Sequence, residues 1–273
     1  MTSSIKAVIF DWAGTLVDFG SSAPMGAFVD LFAQEGVSIT VAQARGPMGL
    51  PKRDHIIALG QTPDIARAWR DARGENFSEA DADRLLARFE PMSAKAALAR
   101  AEMIPGAHAA IQQLRREGIL IGTTTGYTRF IMNGVLSEAS RQGFEPDCVV
   151  CTDDVKSGRP SPLGIYKCLL ELNVWPARAV VKVDDTVPGL AEGLAAGCWT
   201  VGVSVSGNAM GLDQSEFEAL TEDERLRRVT AAEVLLRQGG AHEVIPSVAN
   251  LDSALERIRV RMTAGEHPWD RTL

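Results

Sequence analysis

Short apolar runs rich in β-branched residues recur along this chain at 7–10, 119–122, 148–151, 179–183 and 200–203. Each is followed by a turn and then by a helical pattern, at 108–117, 129–142, 162–172 and 189–196 among others. Strand and helix alternating at this interval predict an α/β fold: a doubly wound, Rossmann-like parallel sheet with helices on both faces. In such sheets the site lies beyond the carboxyl ends of the strands. The polar clusters fall there: Asp11 after the first run, Thr123 to Thr125 after the second, Asp184 and Asp185 after a later one.

The alternation breaks between about residues 20 and 100. That stretch is helical by pattern, at 24–34, 51–59, 64–73 and 79–98, with no convincing strand. It reads as an all-helical cap domain (21–100) inserted into a catalytic core domain (1–20 and 101–273), with hinges expected near Gly20 and at 103–106. The 24–34 helix has an apolar face of Met25, Phe28, Val29 and Phe32. That face suits either a helix–helix contact between subunits or packing inside the cap. The C-terminal part adds a polar helix pair around 216–237, a short apolar run at 242–245 and a last helix at 252–262.

A chain of 273 residues can hold one good core and a smaller second unit. A net charge of −7 opposes nucleic acid as a main partner, although a few local cations suffice for a small anionic substrate. The apolar stretch near the N-terminus is too short for a signal peptide, and no segment reaches membrane-spanning length, so the cytoplasm is the expected compartment. Cys148 and Cys151 form C-x-x-C, but within a strand positions three apart point to opposite faces. No second C-x-x-C or nearby His completes a metal site, so structural thiols are expected.

Asp11 ends the first apolar run and opens the pattern Asp11-Trp12-Ala13-Gly14-Thr15. A carboxylate at a strand end, followed by Gly and Thr in a tight turn, is suited to act as an exposed nucleophile. With VIFDWAGTLVD at 8–18, MGLPKRDHI at 48–56, TTTGYTR at 123–129, SGRPSP at 157–162 and KVDDT at 182–186, the chain resembles the haloacid dehalogenase superfamily. Within it, the chain is most similar to the phosphonoacetaldehyde hydrolase (phosphonatase) family. The specific part is the pairing of Ala13 with Lys52. Phosphate-ester hydrolases of this kind usually carry an acid two residues after the nucleophile, to protonate a departing alkoxide. Breaking a carbon–phosphorus bond expels a carbanion, which needs an electron sink instead. A lysine amine condensed with an aldehyde supplies one.

The resemblance implies that Lys52 forms a Schiff base and that Asp11 attacks phosphorus to give an aspartyl-phosphate. Acetaldehyde and phosphate would be the products, in the degradation of 2-aminoethylphosphonate. It also implies a homodimer. A Schiff-base lysine needs a lowered pKa, from burial or from a cation such as Arg53 or bound Mg²⁺. Met48 flanks Lys52 in the same block. His55 is a candidate proton shuttle, with helix packing as its alternative. Thr125 and Gly126, opening a helix, offer a hydroxyl and N–H groups to phosphate oxygens, with a plain N-cap as the alternative. Arg159 stands where the superfamily carries a cation beside the nucleophile, and Lys156 reads as solvated. The implied metal is Mg²⁺, held by Asp11, the Ala13 backbone oxygen and Asp185.

One departure stands out. The family commonly carries an outer carboxylate at the position of Gly189 and a glycine at that of Asp184. Asp184 is therefore expected to replace the missing carboxylate. A generic phosphomonoesterase or phosphomutase of the same superfamily is the alternative, which Ala13 opposes. A catalytically silent scaffold is opposed by the presence together of Asp11, Thr125, Arg159 and Asp185.

Overall fold

The computed structural model describes residues 4–270, so the extreme ends of the expected core domain, 1–3 and 271–273, lie outside the described residues. Six strands form one parallel sheet: β1 (Ala7–Phe10), β2 (Leu120–Thr124), β3 (Cys148–Val150), β4 (Val180–Asp184), β5 (Trp199–Val203) and β6 (Glu243–Ile245). Their order is β3-β2-β1-β4-β5-β6. The run at 242–245 is thus an edge strand, paired with β5. The order reverses direction between β1 and β4, the switch point at which a doubly wound sheet opens a crevice.

Five helices, α1 (Ala23–Ala33), α2 (Val41–Arg45), α3 (Lys52–Gln61), α4 (Pro63–Arg73) and α5 (Glu79–Ala99), fill the insert. The remainder carries α6 (Ala107–Arg116), α7 (Arg129–Arg141), α8 (Leu163–Glu171), α9 (Val187–Ala195), α10 (Gln214–Glu218), α11 (Glu222–Gln238) and α12 (Leu251–Thr263). Successive strand residues face opposite layers. Val8 and Phe10 pack with Ile111 of α6, Ile131 of α7 and Leu255 of α12. Ala7 and Ile9 pack with Ile165 and Cys168 of α8. Cys151 and Cys148 separate into these same two layers, as strand geometry requires, and all four cysteines are free and buried.

The short α2 is absent from the sequence reading because five residues are too few to show apolar periodicity. Its start was nevertheless written in Thr40 and Gln43, which form a capping box. The apolar face of α1 packs within the cap. Met25, Phe28 and Phe32 are buried in the cap core, with Val29 packed against it, so this stripe is not an outward contact face. Phe28 stacks on Phe89 at 4.2 Å. Burial of each aromatic contributes roughly 2–3 kcal/mol. Packing changes hands inside α5: Leu85 and Phe89 belong to the cap core, while Ala97 belongs to the core under the sheet. Pro91 lies between them. At the expected hinge, 103–106, Met103 bridges to Val17 and Ile104 N–H donates to Leu16 O.

Candidate active site

Register explains why the polar clusters converge. Phe10 is level with Thr123 on one side and Val183 on the other, so Asp11, Thr124 and Asp184 emerge together at one edge of the sheet. After β1 the chain turns tightly, with the N–H groups of Thr15, Leu16 and Val17 all donating to Trp12 O. Gly14 has φ +81°, and a Cβ there would lie 2.1 Å from Asp185 Oδ2. Only glycine lets this turn press against Asp185.

Asp11, Asp184 and Asp185 are buried, with one oxygen from each lying within 4.8 Å of the others. Burial and the charge of Asp184 push Asp11 up to about 6, against the opposing pull of Arg159 and Lys182. Asp185 is raised well above the carboxylate range by burial and by both neighbouring acids. Asp184 goes the other way. Burial alone would raise it, but Arg159 and Lys182 outweigh that and hold it low. Its Oδ1 accepts from Thr186 N–H at 3.0 Å and Thr186 Oγ1 at 2.7 Å. Arg159 Nη1 sits 2.9 Å from Asp11 Oδ1.

The cap supplies the facing wall. Gly49, at φ +93°, brings the loop before α3 so close to Thr186 that a Cβ would lie 2.4 Å from its Oγ1. Gly126 meets the same loop, where a Cβ would come within 3.0 Å of Leu50 O. Lys52 is the first residue of α3 and is only 3% exposed. Its Nζ lies 4.9 Å from the Tyr127 ring centroid, 5.8 Å from that of Phe28 and 4.0 Å from Met48 Sδ. Burial pushes the amine down to about 8. Asp11 opposes the shift, and Arg159 adds to it. The helix N-terminus also disfavours a cation. Arg53, the neighbour expected to do this, turns away and pairs with Asp83 at 2.6 Å and Glu79 at 3.2 Å.

Asp11, Ala13, Met48, Lys52, Thr125, Gly126, Arg159 and Asp185 therefore line a single cavity, joined by Ser21 and Tyr127. Lys156 is exposed, as expected. Thr125 differs from expectation in part. Its N–H is taken by Val150 O and its hydroxyl accepts from Tyr127 N–H, while Thr128 holds the N-cap position of α7 without a side-chain capping bond. What Thr125 offers the cavity is its hydroxyl oxygen. His55 lies behind the wall, stacked on Phe28 at 3.9 Å, with Nε2 2.8 Å from Ala44 O. Burial, and then the charge of Lys52, keep it neutral, and its Nδ1 is buried without a partner. Tyr127, Lys182 and Glu192 are not evident from the sequence, and Thr124 is evident only as part of the cluster Thr123 to Thr125. A lysine inside the apolar run of β4 was the available signal, since charges are rarely buried without a partner.

Residues 5–197 match the haloacid dehalogenase-like hydrolase family. The chain is 51% identical to the phosphonoacetaldehyde hydrolase of Paraburkholderia xenovorans, over 97% of this chain and 99% of that one. It is 46% identical to the phosphonoacetaldehyde hydrolase of Hahella chejuensis, over 97% and 90% of the two chains. The crystal structure of a phosphonoacetaldehyde hydrolase-like protein from Oleispira antarctica superposes with a TM-score of 0.96 at 43% identity, covering 98% of this chain and 97% of the other. A β-phosphoglucomutase from Clostridium difficile shares the fold at a TM-score of 0.66 and 16% identity. With the Asp11 turn, the acidic cluster and the helical insert all in place, the chain is a hydrolase and belongs to the haloacid dehalogenase-like hydrolase family.

Proposed function

We propose that this enzyme hydrolyses the carbon–phosphorus bond of phosphonoacetaldehyde to acetaldehyde and phosphate, as a step in 2-aminoethylphosphonate degradation. The observation that carries this reading is a buried amine, Lys52, sharing one cavity with Asp11 while alanine occupies position 13. The Lys52 amine attacks the aldehyde carbon, and loss of water leaves a protonated imine. An Asp11 oxygen then attacks phosphorus. The carbon–phosphorus bond breaks, and its electron pair moves toward nitrogen to give a neutral enamine. Protonation at carbon and addition of water release acetaldehyde and free Lys52. A second water hydrolyses the aspartyl-phosphate. Of the two roles open to His55, packing behind the wall is the better supported, since it is buried, stacked on Phe28 and absent from the cavity lining. Release of both products from phosphonoacetaldehyde tests the reading. A generic phosphatase would instead turn over simple phosphate monoesters, for which position 13 offers no acid.

The residues fit a divalent cation. Three carboxylates are crowded together, and Asp185 Oδ1 is buried with no hydrogen-bond partner. An all-oxygen set of Asp11, the Ala13 backbone oxygen and Asp185 suits Mg²⁺. When bound, Mg²⁺ offsets the carboxylate charge and polarises the phosphoryl oxygens. A Cβ at position 189 would lie 2.0 Å from Asp184 Oδ2, so carboxylates at 184 and 189 compete for one space. We take Asp184 as the outer carboxylate. Asp184→Gly is expected to weaken Mg²⁺ binding by about tenfold or more in a calorimetric titration. Adding Gly189→Asp should restore it, and an unchanged titration for Asp184→Gly contradicts the role.

The cavity between cap and sheet domain is about 20 Å³. That holds roughly one water, and we infer that the cap moves to admit substrate. Arg45 of α2 ties the cap to the first hinge, donating to Gly20 O at 2.8 Å and Ser21 O at 3.1 Å. Small-angle scattering is expected to show compaction when a phosphonate analogue saturates the enzyme, and identical profiles count against a moving cap. The four free thiols fit a reducing compartment such as the cytoplasm. No described helix is long and apolar enough to cross a membrane. A homodimer is proposed from the family resemblance, with the α1 stripe excluded as its contact face because it packs inside the cap.

A further inference from the structure

Beneath the nucleophile lies a buried polar lattice that the reaction as written does not use. Its members are Lys182 on β4, Glu192 on α9 and Thr124 at the end of β2, all fully or almost fully buried. The Thr124 hydroxyl donates to Glu192 Oε2 at 2.8 Å. The same hydroxyl oxygen accepts from Lys182 Nζ at 2.8 Å and from Arg159 Nη2 at 3.1 Å. Lys182 Nζ also lies 3.0 Å from Asp184 Oδ2 and 3.7 Å from Glu192 Oε2. Donors and acceptors assign themselves without conflict, which marks a satisfied network.

Arg159 is where this lattice meets the site. Its Nε donates to Glu192 Oε2 at 3.1 Å, and Nη2 donates to Thr124 O at 2.6 Å as well as to the hydroxyl. Nη1 faces Asp11 Oδ1 at 2.9 Å and Asp184 Oδ2 at 3.3 Å. Each guanidinium N–H thus faces an acceptor, and those on Nε and Nη2 are held by the lattice alone. A planar fork gripped along one edge has no freedom at the other. Its remaining edge is aimed at the nucleophile.

The surrounding helices are built around these charges. A Cβ at Gly164 of α8 would lie 2.6 Å from Glu192 Oε1, and one at Gly193 of α9 would lie 2.7 Å from Lys182 Cβ. Glycine within a helix costs stability relative to alanine. Here two glycines, on two helices, open the space that two buried charged side chains occupy. We propose that Glu192 and Lys182, joined through Thr124, are positioning residues that lock the Arg159 guanidinium against Asp11, so that the carboxylate is held in line for attack on phosphorus. The inference rests on Asp11 being the nucleophile.

A double-mutant cycle tests it. Glu192→Gln keeps the shape but weakens the grip on Arg159 Nε. With phosphonoacetaldehyde it should lower kcat about tenfold to a hundredfold and leave KM within about threefold. In an Arg159→Lys background, where there is no fork to position, the same change should cost less than about threefold. Effects that multiply independently, or an unchanged kcat in Glu192→Gln alone, overturn the proposal. A purely structural role would lower the melting temperature equally in both backgrounds without this coupling. If Glu192→Gln fails to fold, Thr124→Val enters the same cycle with the same two outcomes. The cycle is also read through affinity for beryllium trifluoride, a phosphoryl mimic that binds the nucleophilic carboxylate. That readout keeps its coupling even if phosphonoacetaldehyde is not the substrate, whereas an active Asp11→Asn enzyme would remove the premise itself.

Discussion

Asp11→Asn should lower phosphate release by at least about 10⁴-fold, the scale on which enzymes lose a covalent nucleophile. The side chain keeps its shape, and its oxygen can still accept from Arg159. What disappears is the anionic oxygen proposed to attack phosphorus. The fold should survive, because the substitution removes a buried charge and, with it, the repulsion that adds to burial in raising Asp185. Phosphate release, with a thermal melt as control, checks both parts. Substantial activity in a correctly folded Asp11→Asn protein contradicts the assignment.

The second large effect concerns Lys52. Lys52→Arg preserves a cation in the cavity but cannot form an imine, because guanidinium is never deprotonated in the working range. If the lysine acted only through its charge, the loss would be modest, on the order of tenfold to a hundredfold. As a covalent group it should take nearly all turnover with it. The pH dependence follows from the same residue. Its pKa of about 8 lies below the usual 10.5, so the reactive neutral amine appears at lower pH than in an ordinary lysine. At pH 7.5 roughly a quarter of the molecules carry it, against about one in a thousand for an unperturbed amine. The rate of imine formation should rise with pH and level off above about 8. A rate that climbs unabated to pH 10 contradicts the buried environment.

Much of this was legible in the sequence because strand spacing and motif position are local properties. The alternation of apolar runs implies the parallel sheet and puts Asp11, Thr125 and Asp185 at one edge of it. Lys52 was legible through its block, although not through its neighbour: Arg53 turned out to serve Glu79 and Asp83. What remained hidden depends on contacts between segments far apart in the chain. The apolar face of α1 looks the same whether it meets a partner or its own cap, and only its packing on Phe89 and His55 decides. The passage of α5 from one core to the other leaves no local mark except Pro91. Lys182 and Glu192 lie on separate elements, and nothing in the intervening sequence announces that they meet over Thr124.

Lys52, a buried amine, is proposed to form a covalent bond with an aldehyde substrate. Borohydride reduction of the wild-type enzyme in the presence of phosphonoacetaldehyde, followed by peptide mass mapping, tests it most directly. Irreversible inactivation, a reduced two-carbon adduct on the peptide that contains Lys52, and no adduct in Lys52→Arg are expected. Full activity after reduction, with Lys52 unmodified, would contradict it.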